Sequence, residues 1–191
     1  MSVPEKYREY DELLRSKLDD YRYTHSLCVA KSAKDLAVTY GADEEKAYLA
    51  GLLHDVMKNA SGEEQLQIIS KADIMLSPCE MRNDKLWHAI AGAAFLKVEL
   101  GITDEEVVSA IRWHTTGKAG MSTLEKVVYL ADFISEDRTY PDVDVVRRLA
   151  FLGLEQAIVY TQKYCIAKLL SKNMIIDPSS VECYNDLIRF R

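Results

Sequence analysis

Four prolines and eight glycines are all the backbone punctuation that these 191 residues carry. With so few turn formers and almost no alternation of apolar and polar residues, a strand-and-turn architecture is excluded. Cysteine is equally sparse. Cys28, Cys79, Cys165 and Cys183 are widely spaced and form no CxxC pair. With no secretory signal at the start, reduced thiols in the cytoplasm are expected, serving as small apolar fillers. No apolar run is long enough for a membrane span. Basic residues are in deficit, 24 against 30 acidic, for a net charge of −6. Such a chain is poorly suited to a nucleic-acid polymer or an anionic membrane. One local basic pocket for a small anion remains compatible with it.

What is present is ordinary for a globular protein of this length, with 48% hydrophobic and 28% charged residues. The punctuation is helical. Ser61 with Glu64, Thr103 with Glu106 and Ser122 with Glu125 fit the capping box, and Gly41 and Gly101 fall where helices should stop. Helices are expected near 4–19, 21–40, 43–59, 61–71, 84–100, 104–114, 122–135, 142–151, 154–173 and 179–190. Loops are expected at 72–83, 115–121 and 136–141. There is no repeat and no linker, so the reading is one all-α domain.

The chemistry is concentrated in a few polar residues on otherwise apolar helices. The stretch LAGLLHDVMKN (49–59) places His54 and Asp55 together in what reads as core, and Asp132 lies in the equally apolar VVYLADFIS. A buried carboxylate is costly unless it is paired or binds a metal. The four histidines, His25, His54, His88 and His114, each fall on a different expected helix, on or at the end of an inward-looking stripe. Any one of them alone reads as a satisfied core residue; all four, with two aspartates, point to a metal bound between helices. Adjacent helical residues point about 100° apart, so His54 and Asp55 can both serve only near a helix end. The small residues one turn away, Ala50, Gly51, Ala91 and Gly92, are expected to leave room for something other than a side chain. Lys58, Arg22 and Arg138 would form a basic collar suited to phosphate, although each read alone is a surface charge or a salt bridge. The loop HTTGKAG after His114 adds hydroxyls, backbone amides and Lys118. Trp87 and Trp113, each preceding a histidine, read as core aromatics.

The order His25, His54-Asp55, Asp132 resembles that of the HD-domain metal-dependent phosphohydrolases. RYTHS (22–26), HDVMK (54–58), LWHAIAGA (86–93), IRWHTTGKAGMSTLEKVVYLADFI (111–134) and KNMIIDP…YNDL (172–187) more closely resemble the YqeK family. The sequence departs from that pattern at Ser135-Glu136-Asp137-Arg138, where Glu-Pro is usual before the residue preceding the arginine, and at Ile90, where proline is common. The resemblance implies a helical HD domain over 1–191, its N-terminal helix (about 4–19) and C-terminal helix (about 179–190) packed on it. It further implies symmetrical hydrolysis of diadenosine tetraphosphate with iron, manganese or another divalent transition metal, one ion or two. By position, His25, His54, Asp55 and Asp132 would hold the principal ion. His88 and His114 would complete a second ion with Asp55 as bridge, or contact phosphate. Arg138, Thr115 and the segment after Lys172 would line the nucleotide site, joined by Arg22 and Lys58 from the collar. Asp132, Lys58 and Asp55 would carry the chemistry. The expected partner is a dinucleoside polyphosphate or nucleoside diphosphate; a homodimer is left open. Two competing readings are another nucleotide phosphohydrolase on this fold, a nucleotidase or guanosine polyphosphate hydrolase, and a non-catalytic nucleoside diphosphate sensor.

Overall fold

The structure is a computed structural model that describes residues 3–188. A 3₁₀ turn at Glu5–Tyr7 leads into α1 (Arg8–Lys17), α2 (Asp20–Tyr40) and α3 (Glu44–Leu53). Then come α4 (Gly62–Lys71), the short α5 (Pro78–Met81), a 3₁₀ turn at Asp84–Leu86, α6 (Trp87–Val98) and α7 (Glu105–Trp113). α8 (Thr123–Ile134), α9 (Val143–Leu152), α10 (Leu154–Ser171) and α11 (Pro178–Ile188) complete the fold. No strand occurs among the described residues. The last two positions of the expected helix 179–190 lie outside them.

The caps explain most of the helix starts. Asp19, Asp43, Ser61, Ser77, Asp104 and Ser122 each accept a hydrogen bond from a backbone N–H in the following first turn. The Ser61–Glu64 and Ser122–Glu125 boxes form as expected. The Thr103–Glu106 box does not, because the Asp104 carboxylate takes the Glu106 amide at 3.0 Å. Ser77 and Glu80 form a further box that starts α5 inside the segment read as a loop.

One difference matters for function. The helix expected over 43–59 ends at Leu53, and residues 54–59 continue as consecutive turns with i→i+3 bonds, Val56 N–H to Leu53 O (3.1 Å) and Lys58 N–H to Asp55 O (2.8 Å). His54 and Asp55 therefore sit at a helix end, where both can face inward.

α2 packs along α3 and α8, α7 closes against α3, α6 and α8, and α10 and α11 pack as a pair beside α8. One hydrophobic core connects them, reaching from Tyr7 near the start to Leu187 in α11. Close helix approach uses the small residues. A Cβ placed on Gly51 would lie 2.9 Å from Ala30 Cα and 3.1 Å from Ala33 Cβ; one on Gly92 would lie 3.2 Å from Ile111 Cγ2. The expectation that these positions leave room for a bound group is thus corrected: neighbouring helices fill the space. No helix among the described residues is long and apolar enough to cross a membrane.

Candidate metal centre

Two histidines are set by the same local device. Each is the residue directly after a helix, where carbonyls lack helical partners. His54 Nδ1 lies 2.7 Å from Gly51 O, and His114 Nδ1 lies 2.7 Å from Ile111 O. A carbonyl can only accept, so each Nδ1 carries the proton and each Nε2 lone pair faces inward. His54 Nε2 is buried with no hydrogen-bond partner. His88, in the first turn of α6, accepts at Nε2 from Lys58 Nζ at 3.0 Å. His25, in the second turn of α2, lies fully buried between two carboxylates. Its Nε2 is 2.8 Å from Asp132 Oδ1 and its Nδ1 is 2.8 Å from Asp137 Oδ2.

Asp55 stands at the centre, and its two oxygens face different imidazoles. Oδ2 is 3.6 Å from His54 Nε2, whereas Oδ1 is 3.4 Å from His88 Nε2 and 3.7 Å from His114 Nε2. Oδ1 is buried without a hydrogen bond. Three groups of potential donor atoms lie within 4.8 Å of one another: His25/His54/Asp55, His54/His114/Asp132 and Asp55/His88/His114. Inward lone pairs, buried donors without partners and a central carboxylate form a nitrogen and oxygen set that fits a divalent transition metal.

The local field agrees. Burial by itself would raise the Asp55 carboxyl, but the surrounding cluster, with the Lys58 ammonium 3.6 Å away, holds it well below the usual range. Asp132 is likewise held down, against burial, by His25 and Arg138. Burial lowers His54 to about 4 and His88 to about 3, the latter helped by Lys58. Both are neutral in the folded protein at pH 7, as ligands must be. The unfolded chain takes up these protons near pH 6.5. The two groups therefore contribute stability above that pH, and the contribution is lost as pH falls towards 4. The metal-free protein is expected to weaken over that window by up to about 1.4 kcal/mol per pH unit per proton; urea unfolding at pH 7 and pH 5 checks this. Burial pulls His25 down as well, but Asp132 and Asp137 more than offset it and its pKa is raised. Its contribution has the opposite sign and is lost only above pH 6.5.

The expected residues converge. His25, His54, Asp55, His88, His114 and Asp132 form one cluster, with the Asp132 side chain 20% exposed. Lys58 reaches it from the turn, 3.6 Å from Asp55 Oδ1, although not through the shared helical face that was expected. Thr115 Oγ1 lies 3.4 Å from His88 Nε2 and 3.2 Å from His114 Nε2. Arg22 pairs with Asp55 Oδ2 at 3.2 Å. Arg138 donates to Asp132 O at 2.7 Å and to the Asp132 carboxylate, which brings its Nη2 to 3.2 Å from His25 Nε2. Lys118 lies apart, 3.3 Å from Glu125. Trp87 is half-buried and donates to Glu80 O at 2.7 Å.

Sequence reasoning missed two supporting residues. Asp137 holds His25 by its outer nitrogen. Arg147 of α9 donates to the carbonyls of Ile134 (3.1 Å), Ser135 (2.9 Å) and Arg138 (3.0 Å), fastening the turn that carries Asp137 and Arg138. Asp137 lies in a turn, where no periodicity marks an inward face. Carboxylates behind a ligating histidine are typically worth ten- to a hundredfold in metal affinity. Asp137→Asn is expected to weaken metal binding by about that factor, and a chelator competition titration measures it.

Two clefts border the cluster. The first, of about 410 Å³, includes Thr115, Lys85, Leu86, Leu169, Met174 and Ile175. The second, of about 370 Å³, is lined by Lys58, Gln65, Asp84, Lys85 and His88.

Helices gathered around histidines and aspartates, with an adjacent His-Asp pair at a helix end, define the HD-domain class, and the HD domain family model matches residues 22–137. The symmetrical bis(5'-nucleosyl)-tetraphosphatase of Bacillus subtilis is 39% identical over 92% of this chain and 94% of its own. That of Halalkalibacterium halodurans is 40% identical over 93% and 94%. A crystal structure of a predicted HD superfamily hydrolase involved in NAD metabolism, from Clostridium acetobutylicum, superposes with a TM-score of 0.94. It is 36% identical and covers 97% of this chain and 98% of that one. The chain belongs, within the HD-domain proteins, to the family of the symmetrical bis(5'-nucleosyl)-tetraphosphatases.

Proposed function

We propose that this protein hydrolyses a dinucleoside tetraphosphate, diadenosine tetraphosphate first among them, at its centre to give two nucleoside diphosphates. The observation that carries the reading is the division of the Asp55 oxygens between two sets of imidazoles. In this reading His25, His54, Asp55 and Asp132 would hold one ion, and His88 and His114, together with Asp55, would hold a second. Six nitrogen and oxygen donors without a thiolate suit iron, with manganese next. Four free cysteines support a cytoplasmic protein. The reading of one domain over 1–191 is supported, within residues 3–188, by the core that ties Tyr7 and Leu187 to the matched segment. A homodimer is tested by sedimentation.

A divalent metal in this cluster supplies Lewis acidity to phosphoryl oxygens and to the attacking water. The protein supplies the remainder. Asp132 stays ionised and offers an acceptor oxygen that orients the water. Lys58, beside His88, donates to a phosphoryl oxygen as charge develops there. Arg138, beside Asp132, and Arg22, beside Asp55, neutralise the polyphosphate. The apolar walls of the first cleft, including the segment after Lys172, take one nucleoside.

Metal-loaded protein incubated with diadenosine tetraphosphate should yield only ADP by chromatography. AMP and ATP would overturn the symmetrical register, and no product with stoichiometric ADP binding would identify a sensor. Lys58→Ala should retain metal but lose roughly 2.7–4 kcal/mol of transition-state stabilisation, a drop of order a hundredfold in turnover. A loss under about threefold would reduce Lys58 to a surface charge.

A further inference from the structure

The two clefts that meet at Lys85 differ in chemistry. The first combines aliphatic walls, Leu86, Leu169, Met174 and Ile175, with a rim of Lys85, Lys168 and Lys172, and it touches the cluster through Thr115, so it can hold both a nucleoside and its phosphates. The second has no aliphatic or aromatic wall, and its only ring is His88, already committed to the cluster. It offers two ammonium groups, Lys58 and Lys85, beside one carboxylate, Asp84, and nothing for a base to stack on. Gln65 cannot turn its amide into it freely, because Gln65 Nε2 donates to Met57 O (3.1 Å) and Ala60 O (3.0 Å). A base needs an apolar or aromatic surface to bury against, whereas phosphate needs donors and positive charge. A symmetrical substrate thus meets an asymmetric site.

We infer that the first cleft reads the nucleoside of the half that is attacked, and that the second cleft receives the departing nucleoside diphosphate through its phosphates, without reading its base. The inference rests on the function proposed above. Water attacks the second phosphorus of the half held in the first cleft. The bond from that phosphorus to the central bridging oxygen breaks, and the bridging oxygen leaves on the other diphosphate with the electron pair. The new oxygen from water stays on the terminal phosphate of the held half.

A mixed dinucleotide makes this visible. Adenosine–uridine tetraphosphate is hydrolysed by the unmodified metal-loaded protein in oxygen-18 water, and label is read by mass spectrometry in ADP and UDP separately. A purine buries more area against the aliphatic walls than a pyrimidine, so label should appear in ADP over UDP by about tenfold, equivalent to about 1.4 kcal/mol between the two nucleosides. Equal label in ADP and UDP overturns the inference while leaving symmetrical hydrolysis standing. Products other than ADP and UDP overturn the proposed function instead. Binding without turnover gives a second reading: by calorimetry ADP should bind about tenfold tighter than UDP, and equal affinities count against the inference. Adenosine tetraphosphate, which lacks a second nucleoside, should be cleaved to ADP and pyrophosphate with kcat/KM within about threefold of the dinucleotide, or about 0.7 kcal/mol. A loss beyond about tenfold means the second cleft reads the base and overturns the assignment.

Discussion

Asp55→Ala should strip metal and activity from the protein together. Asp55 is the one residue that faces both imidazole sets, with Oδ2 towards His54 and Oδ1 towards His88 and His114. Its removal also leaves Arg22 and Lys58 without the carboxylate they flank. Losing a contact behind a ligand costs about ten- to a hundredfold; losing the shared central donor should cost more, beyond about a thousandfold in kcat/KM, or about 4 kcal/mol. The check is elemental analysis on the purified variant beside turnover measured with metal in excess. Metal retained at the wild-type ratio with activity lost would place Asp55 on water or phosphate. Normal turnover would remove it from the mechanism. Asp55→Asn keeps the volume and one donor oxygen, and separates loss of charge from loss of packing.

The cluster was legible in the sequence because burial of a charged group is expensive. His54, Asp55 and Asp132 stand out against apolar neighbours, and the helical period carries the remaining histidines to inward stripes. The period is also what misleads. It runs unbroken through Leu53 into Val56 and Met57, and nothing in the residues says that the helix stops at Leu53. His54 ends the helix by bonding the Gly51 carbonyl, which is a property of the folded site. Asp137 and Arg147 escaped for a related reason. One lies in a turn without period. The other is a charged residue on an amphipathic helix, indistinguishable from a solvated one until its partner carbonyls are in place. The clefts are formed by residues far apart in the chain, and only packing of α10 and α11 beside the Thr115 loop creates the larger one.

Gly51 links packing to chemistry most directly, and Gly51→Val should show it. An added Cβ meets Ala30 Cα at 2.9 Å and Ala33 Cβ at 3.1 Å. These are backbone and a short side chain that cannot swing away, so α2 and α3 must part. Elsewhere in a helix, replacing glycine by alanine gains up to about 1 kcal/mol; here overpacking costs about 1–3 kcal/mol for one methyl. Valine adds two further carbons, and about 3 kcal/mol or more is expected. For a chain of this length that lowers Tm by roughly 6–12 °C. The site should suffer in the fraction that remains folded. Gly51 O fixes His54 Nδ1 at 2.7 Å, and α2 carries His25. A displacement between α2 and α3 therefore pulls two donors of the same group apart. Metal per folded protein should fall in Gly51→Val and fall less in Gly51→Ala. Gly62→Ala, whose Cβ would lie 3.4 Å from the Trp87 ring, should change neither quantity. A Gly51→Val protein with wild-type Tm and full metal would show that close approach of α2 and α3 is not what sets the centre.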